Sequence, residues 1–482
     1  MRRPSCFFFA FLLFFLLLSA ACAHAQHEAK ARPTALRGTI VTPDEVIPNG
    51  TVVIERGIIR EVGAHVAIPH DAVVLDTGGI IAPGLIDLHN HLTWNVFPRW
   101  KPSQEFGSRY DWQAKPAYNV LMTAPHQALV DEGLECDAER YAEVKAIAQG
   151  ETSVVGGSSL HPECDLGLAR NLDDPADIDH AGGLDPASLP GILYNVFPLQ
   201  MSEEDLAAAH RALAAHGALL IHLAEGAPNH ASAAREFPML EGRGLLTPGV
   251  SLIHGVALKP ANFEEMKKNG VGFVWSPRSN IELYGDTASV SAALEKGVTM
   301  ALAPDWSPTG SDGLLSELKY AATWVLAQQL PFPKPPAPRP APLLTDRQLA
   351  EMATTNAAAL VHLDHRLGTL EKGAAADILV LRPEAYQPED NPWWSLDHAS
   401  PQDVELVMIG GQAVYGDEAP MRELLPGAPL EAIAVCGAEK RISFASETGE
   451  VQRSMFAETE ARLQIALRQW GRDLAPLAEC GQ

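Results

Sequence analysis

Positive charge is scarce in this 482-residue sequence, which contains 36 lysine and arginine residues and 60 aspartate and glutamate residues. The resulting net charge of −24 at pH 7 disfavours contact with the phosphate backbone of nucleic acids. We therefore expect no nucleic-acid partner and predict a solvated acidic surface. The chain is long enough to bury a large core and to form more than one domain.

The N-terminal part of the chain also lacks an apolar run long enough for a stable membrane span. Its apolar run, residues 7–18, has 12 residues, whereas a spanning helix needs about 20. The run follows two arginines and precedes Ala23-His24-Ala25, which is the pattern of a secretory signal peptide. We expect cleavage after Ala25, so that residues 1–25 are a signal peptide and the protein is exported to the periplasm or secreted. A lipid anchor on Cys22 is the alternative.

Cysteine is rare as well, with six residues in the chain, of which two lie within the expected signal peptide. The other four allow three pairings in an oxidising compartment. We expect Cys136 to pair with Cys164 and Cys436 to pair with Cys480, because each pair lies within one segment of the chain. Buried free thiols are the alternative.

Two hydrophobic patterns divide the rest of the sequence. Residues 26–80 and 366–416 contain short alternating β segments, which we interpret as one composite β-sandwich domain. Residues 81–365 alternate apolar runs with helical stretches, which predicts an α/β fold with the length of an eight-stranded (β/α)8 barrel. Residues 417–482 predict an extension with an amphipathic helix. We expect one face of this helix to carry Phe456, Leu463, Leu467, Trp470 and Leu474.

The stretch PGLIDLHNHL, residues 83–92, begins as a buried strand and ends with His89 and His91. Side chains at positions i and i+2 of a strand point the same way, so two imidazoles at this spacing can bind one divalent metal. The motif alone is weak evidence, because isolated histidines usually have structural roles.

Three further predicted strands end in residues that bind metals or titrate. His222 ends one strand and is followed by Glu225, His254 ends the next, and Asp305 ends the last. Because the carboxyl ends of barrel strands open onto one face, these residues are expected to converge with the histidine pair. Together they indicate a metal site.

These motifs resemble those of the amidohydrolase superfamily, whose members are metal-dependent hydrolases on a distorted TIM barrel. The resemblance covers nearly all of residues 38–416, in the order PGLIDLHNHL, HLAE, IHG, SPRSN, APDWSP and TNAAALVHLDHRLGTLEKGAAADILVL. The branch most similar in its motifs contains cytosine and guanine deaminases and triazine hydrolases.

The resemblance implies one role for each residue of the motifs. It makes His89, His91, His222 and Asp305 the ligands of one divalent metal, with zinc preferred and iron as the second choice. His254 would contact the metal-bound water, and Glu225 would act as the proton shuttle. Such a metal lowers the pKa of water towards 7.

A single metal is expected because a lysine is missing where two-metal members carry one. Those members bridge their ions with a carbamylated lysine near the end of the fourth strand, and residues 151–200 contain no lysine. Glu163 is a remote candidate for a carboxylate bridge.

Candidate substrate contacts lie beside these motifs. We expect Trp94, Trp275 and Trp306 to stack on a flat ring and His161 to face the substrate. Arg278 and Asn280, in SPRSN, are expected either to contact the substrate or to stabilise their loop. Ser307, after the metal aspartate, is expected to orient that aspartate.

The predicted activity is hydrolysis of a C–N bond in a small, cyclic, planar heterocycle, with deamination as the leading reaction. A secreted cyclic amidase or an imidazolonepropionase-like hydrolase is the first alternative. A catalytically inactive binding protein on a barrel scaffold is the second. Homo-oligomerisation is left open.

Overall fold

A computed structural model of the protein describes residues 32–156, 164, 168–174, 182–328, 344–383, 391–444 and 455–480. The predicted signal peptide, His161 and Glu163 lie outside the described residues. Within the ranges given, no helix combines the length and the apolar character that crossing a bilayer requires.

The strands are numbered in chain order. They are β1 (Thr34–Val41), β2 (Val46–Glu55), β3 (Ile58–Gly63), β4 (Val73–Pro83), β5 (Leu85–Asp87), β6 (Glu151–Val154), β7 (Arg170–Asn171), β8 (Ile192–Asn195), β9 (Ala218–Leu223), β10 (Val250–His254), β11 (Gly272–Trp275), β12 (Met300–Leu302), β13 (Ile378–Leu381), β14 (Val404–Ile409), β15 (Gln412–Gly416), β16 (Glu431–Val435) and β17 (Ala438–Ile442).

The α-helices fall mainly between and after the central strands. They span Arg109–Gln113, Pro116–Tyr118, Ala124–Asp131, Glu135–Ala148, Glu203–Ala214, Ala231–Ala234, Glu236–Gly242, Pro260–Lys268, Pro277–Tyr284, Val290–Lys296, Leu314–Gln328, Asp346–Met352, Thr355–Leu360, Pro392–His398, Glu418–Leu424 and Phe456–Gln469. The helix Glu203–Ala214 illustrates a capped N-terminus, because the Ser202 hydroxyl accepts a hydrogen bond from the Asp205 amide at 3.1 Å.

Strands β5 to β12 are parallel and carry the predicted site. They form sheets of three and five strands, in the orders β5-β6-β7 and β12-β11-β10-β9-β8. Every residue of β9 and β10 is buried, as expected for parallel strands covered on both faces. A parallel bridge between Asn90 and Asp305 joins the ends of β5 and β12. The predicted α/β class is confirmed, and this bridge supports the predicted closure into a barrel.

The segments before and after these parallel strands form one nine-stranded sheet, in the order β16-β17-β15-β14-β13-β4-β1-β2-β3. The antiparallel pair of β4 with β13 joins the N-terminal flank to the C-terminal flank. The composite origin agrees with the sequence interpretation, whereas β16 and β17 extend the sheet beyond residue 416. The arrangement as a two-layered sandwich stays a prediction.

Both predicted disulfides are present. Cys136 is bonded to Cys164 and Cys436 to Cys480, with Cα–Cα distances of 4.9 and 5.2 Å. The alternative of free buried thiols is therefore wrong.

The C-terminal helix differs in part from its prediction. Phe456, Leu463 and Leu467 are buried, as predicted. Trp470 instead caps the end of the helix and is 46% exposed, because the chain turns at Gly471 with a φ of +65°. The prediction that Trp470 packs on the buried face is wrong.

Candidate active site

The structure brings together the five candidate residues of the metal site at the carboxyl ends of four strands. Nitrogen atoms of His89, His91 and His222 lie within 4.8 Å of one another, and so do ligand atoms of His89, His254 and Asp305. Asp305 Oδ1 lies 3.2 Å from His89 Nε2 and 3.4 Å from His91 Nε2. The predicted convergence is therefore present in the fold, and the assigned roles remain proposals.

The sequence SPRSN, at the start of helix Pro277–Tyr284, supports three of these side chains. Ser276 Oγ lies 2.8 Å from His89 Nδ1, and Asn280 Oδ1 lies 2.9 Å from His254 Nδ1. Ser279 donates a hydrogen bond to Asp305 Oδ2. Each imidazole is thereby held through Nδ1, which leaves its Nε2 atom facing the centre of the cluster.

Backbone strain also accompanies the site. His254 and Asp305 have φ angles of +69° and +71°, and Ala224 beside Glu225 has +52°. Residues with a Cβ rarely adopt this left-handed region, so the surrounding fold must impose it. Two of these three residues, His254 and Asp305, contribute their own side chains to the cluster, and Ala224 precedes Glu225.

Burial favours the neutral form of the imidazoles in this cluster. It lowers the pKa of His89 to about 3 and that of His91 to about 4. Neutral imidazoles offer lone pairs, and the Nε2 atoms of His89 and His254 are buried without a hydrogen-bond partner among the described residues. Orphaned buried nitrogen atoms beside a carboxylate are the donor set that a divalent metal satisfies, so the residues fit the predicted group.

Glu225 lies beside this cluster and is held by several donors. Its Oε1 accepts a hydrogen bond from the Tyr284 hydroxyl at 2.6 Å, and its Oε2 accepts one from Arg109 Nη1 at 3.2 Å. His222 Nδ1 is also 3.2 Å from Oε2. Burial raises the pKa of Glu225, but His254, His222 and Arg109 outweigh it and hold the pKa well below its usual value.

A cavity of about 640 Å³ opens onto this cluster. Its floor contains His91, His222, Glu225, His254 and Asp305, and its walls are mainly aromatic. The aromatic residues are Trp94, Trp112, Tyr118, Tyr194, Phe197 and Trp306, and the polar wall residues are Gln113, Asn195, Gln200 and Asp205. A concave apolar pocket with a few convergent polar groups suits a small planar ligand.

Two of the three predicted stacking residues, Trp94 and Trp306, line this cavity. Trp275 does not, so its predicted contact with a substrate is wrong. It is fully buried, and its Nε1 donates a hydrogen bond to Thr287 Oγ1 at 2.7 Å. Neighbouring residues of an extended chain point to opposite sides, and Ser276 takes the side that faces the cluster.

The remaining predicted contacts have structural positions. Arg278 donates to Ser311 and Glu479 and lines a separate cavity of about 550 Å³, which agrees with the alternative that it stabilises its loop. Asn280 contacts His254 instead of lining the cavity.

Ser307 does not orient Asp305, contrary to the prediction. Its amide donates to Asn95 Oδ1 at 2.8 Å, and the hydroxyl that contacts Asp305 belongs to Ser279. His161 lies outside the described residues, so its expected role is left as a prediction.

Three side chains at the site were not predicted from the sequence. Arg109 and Tyr284 hold Glu225, and the Tyr194 hydroxyl lies 3.0 Å from His222 Nε2. Tyr194 is the last residue but one of strand β8 and could have been found from its position near the strand end. Arg109 and Tyr284 lie on helices and belong to no motif that marks them.

The segment that contains the cluster matches a known protein family. Residues 80–414 match the sequence model of the amidohydrolase family. The chain is 28% identical over 421 residues to a 5-methylthioadenosine/S-adenosylhomocysteine deaminase from Nitratidesulfovibrio vulgaris, covering 78% of this chain and 90% of the relative.

Solved structures share the fold. An adenosine deaminase from Xanthomonas campestris with bound zinc matches with a TM-score of 0.64 and 16% identity, over 91% of this chain and 98% of that chain. An atrazine chlorohydrolase from Arthrobacter aurescens, complexed with zinc, matches with a TM-score of 0.62 and 20% identity, over 79% of this chain and 95% of that chain. At these identities the likeness shows the fold alone.

The parallel strands carry at their carboxyl ends a histidine–aspartate cluster that is suited to a metal. Because the family model covers well over half of the sequence, the chain belongs to the amidohydrolase family. It is an enzyme that acts on carbon–nitrogen bonds other than peptide bonds, which disfavours the alternative of an inactive binding protein.

Proposed function

We propose that this protein is an exported, metal-dependent deaminase of an uncharged or cationic planar nitrogen heterocycle. The observation that carries the proposal is the Glu225 carboxylate, placed between a buried histidine–aspartate cluster and an aromatic cavity. The similarity to a 5-methylthioadenosine/S-adenosylhomocysteine deaminase supports deamination over ring opening.

His89, His91, His222 and Asp305 would hold one divalent metal, zinc before iron. The metal would polarise the bond under attack and lower the pKa of water, so that a nucleophile forms at neutral pH. Support for a single ion comes from the absence of lysine between residues 151 and 200. We also interpret the eight parallel strands as one distorted barrel, with the bridge between Asn90 and Asp305 joining its first and last strands.

Glu225 moves the protons in this proposal. Its low pKa keeps it ionised, so it can accept one proton from the attacking water and pass it to the ring nitrogen as the C–O bond forms. It can then carry a second proton, from the hydroxyl group added to the ring, to the amine that leaves as ammonia when the C–N bond breaks. His254 Nε2 lies 3.6 Å from Glu225 Oε2 and faces the same space. Because Asn280 Oδ1 accepts a hydrogen bond from His254 Nδ1, the neutral imidazole presents the lone pair of Nε2 and is placed to accept a hydrogen bond from the nucleophile and orient it.

The cavity defines the substrate class by shape and charge. Aromatic walls favour a flat ring, and a volume of about 640 Å³ suits a molecule of nucleoside size. No lysine or arginine is among the described residues that line the cavity, whereas Asp205 is. Anionic substrates such as nucleotides are therefore disfavoured, and neutral nucleosides or free bases carrying an exocyclic amine are favoured.

Export is supported by the two disulfides, because such bonds persist in oxidising compartments. Together with the signal-peptide pattern, they support a location in the periplasm or outside the cell.

The test measures ammonia release and ring opening on a panel of adenine nucleosides, free aminopurines, aminopyrimidines and cyclic amides. We expect ammonia from at least one aminated heterocycle, and Glu225→Gln should lower kcat on the order of 100-fold or more while metal is retained. Glu241→Gln, on an exposed position, is the matched control. Ring opening without ammonia would instead identify the cyclic amidase, and unchanged turnover in Glu225→Gln would remove that residue from the mechanism.

A further inference from the structure

Arg109 is a buried cation next to the proton-transfer residue and has no role in the chemistry described so far. Its side chain is 1% exposed, and buried arginines are rare unless they are paired. The segment that carries it is tied to the segment that carries Glu225: Ser108 and Gly226 form an antiparallel bridge, and the Arg109 amide donates to the Glu225 carbonyl at 3.3 Å.

The guanidinium joins two carboxylates. Arg109 Nη1 donates to Glu225 Oε2 at 3.2 Å and to the Val196 carbonyl at 2.6 Å. Arg109 Nη2 lies 3.3 Å from Glu236 Oε1. Glu236 Oε2 in turn accepts a hydrogen bond from the Ala224 amide at 2.7 Å, so the same pair also holds the residue that precedes Glu225.

The second oxygen of Glu225 is held from the opposite side. The Tyr284 hydroxyl donates to Oε1 at 2.6 Å and itself accepts a hydrogen bond from Trp112 Nε1 at 2.9 Å. With donors on both oxygens, rotation of the carboxylate would break a hydrogen bond in a buried place, which is costly. Arg109 and Tyr284, together with His222 at Oε2, therefore determine the plane of the carboxylate.

We propose that Arg109 is a positioning residue that fixes the Glu225 carboxylate in the orientation required for proton transfer. The inference rests on the proposed function, because it assumes that Glu225 transfers the proton. Its physical basis is that proton transfer needs the carboxylate within hydrogen-bond reach of its partner, and small misplacements cost large factors in rate. Since its guanidinium is engaged by Glu225 and Glu236, Arg109 is not an anchor for an anionic substrate.

The experiment compares Arg109→Met and Arg109→Lys with the wild-type holoenzyme. We expect Arg109→Met to lower kcat by about 10- to 100-fold, with KM changed by less than about threefold and the metal content unchanged. Arg109→Lys keeps the charge but cannot bridge both carboxylates, so it should restore part of the loss. Arg243→Met is the matched control, because Arg243 bonds the nearby Pro198 carbonyl at 2.7 Å.

A double variant separates positioning from a general structural role. If Arg109 acts through Glu225, adding Arg109→Met to Glu225→Gln should change kcat by less than about twofold. A multiplicative loss in the double variant, or a loss of metal together with activity, would overturn the inference. If Arg109→Met does not fold, Arg109→Lys becomes the test, and a kcat equal to that of the wild type in Arg109→Lys would overturn the inference.

The outcomes also separate this inference from the proposed function. A wild-type enzyme that deaminates no member of the panel contradicts the proposed function. An active wild-type enzyme whose kcat is insensitive to both Arg109 substitutions contradicts the positioning role alone.

Discussion

Glu317 offers a test of the electrostatics beneath the site, because its carboxyl group is fully buried. Its Oε1 accepts a hydrogen bond from the Arg278 amide at 3.1 Å, and its Oε2 accepts one from Ser311. Burial raises the pKa of Glu317 from 4.5 to about 7. The group supports the first turn of the helix that carries Ser279 and Asn280, which contact Asp305 and His254.

The sign and size of the effect follow from linkage. In the unfolded chain Glu317 loses its proton near pH 4.5, whereas in the folded protein it keeps the proton up to about pH 7. Its contribution to stability is therefore fully present at low pH and is lost as the pH rises through this window. A shift from 4.5 to about 7 corresponds to about 3 kcal/mol at 1.36 kcal/mol per pKa unit.

Glu317→Gln should remove this dependence. The amide resembles the protonated carboxyl group, since its oxygen can accept from Arg278 and its nitrogen can donate to Ser311. Relative to wild type, the variant should gain about 3 kcal/mol of unfolding free energy between about pH 4 and about pH 8.

Urea denaturation of both proteins at the two pH values measures this difference, and Glu264→Gln at an exposed position controls for the change in net charge. If the free energy of unfolding changes with pH in the same way in wild type and Glu317→Gln, the reasoning is refuted, because Glu317 would then be ionised in the folded protein.

Three further predictions concern the site and the termini. Ser276→Ala removes the partner of His89 Nδ1 and should weaken metal affinity by about 10- to 100-fold in a chelator competition assay, and an unchanged affinity would show that the hydroxyl does not orient the imidazole. Replacing both Cys436 and Cys480 with serine should lower the free energy of unfolding by about 2–4 kcal/mol while leaving kcat within about twofold; no loss in denaturant titration would contradict a stabilising bond. Trp306→Leu should raise KM by about 2- to 10-fold with little change in kcat, since it removes an aromatic wall of the cavity, and a selective fall in kcat would instead implicate Trp306 in the chemistry.

The convergence of distant residues could be predicted because parallel strands impose it. His222, His254 and Asp305 each follow a buried apolar run, and the carboxyl ends of parallel strands share one face. The orientation of a side chain at a strand end is harder to predict, because an error of one residue in the predicted strand turns each side chain to the opposite face of the sheet. Trp275 and Ser276 illustrate this: the sequence favoured the tryptophan, and the serine faces His89.

The residues that hold Glu225 could not be predicted in the same way. Arg109 and Tyr284 reach Glu225 from helices whose positions depend on tertiary packing, across sequence separations of 116 and 59 residues. No periodicity or spacing encodes such contacts. Likewise, β16 and β17 join the sheet through short strands with exposed residues, whose hydrophobic pattern is weak.

The central claim is that four side chains from the ends of three strands bind one divalent metal. Its most direct test is the metal content per chain after equilibrium dialysis against zinc, measured by plasma mass spectrometry for wild type, His222→Ala, Asp305→Ala and the control His230→Ala. We expect one tightly bound zinc per chain in wild type and in His230→Ala, and loss of that zinc in His222→Ala and Asp305→Ala. Two ions per chain in wild type, or one zinc retained in both His222→Ala and Asp305→Ala, would contradict it.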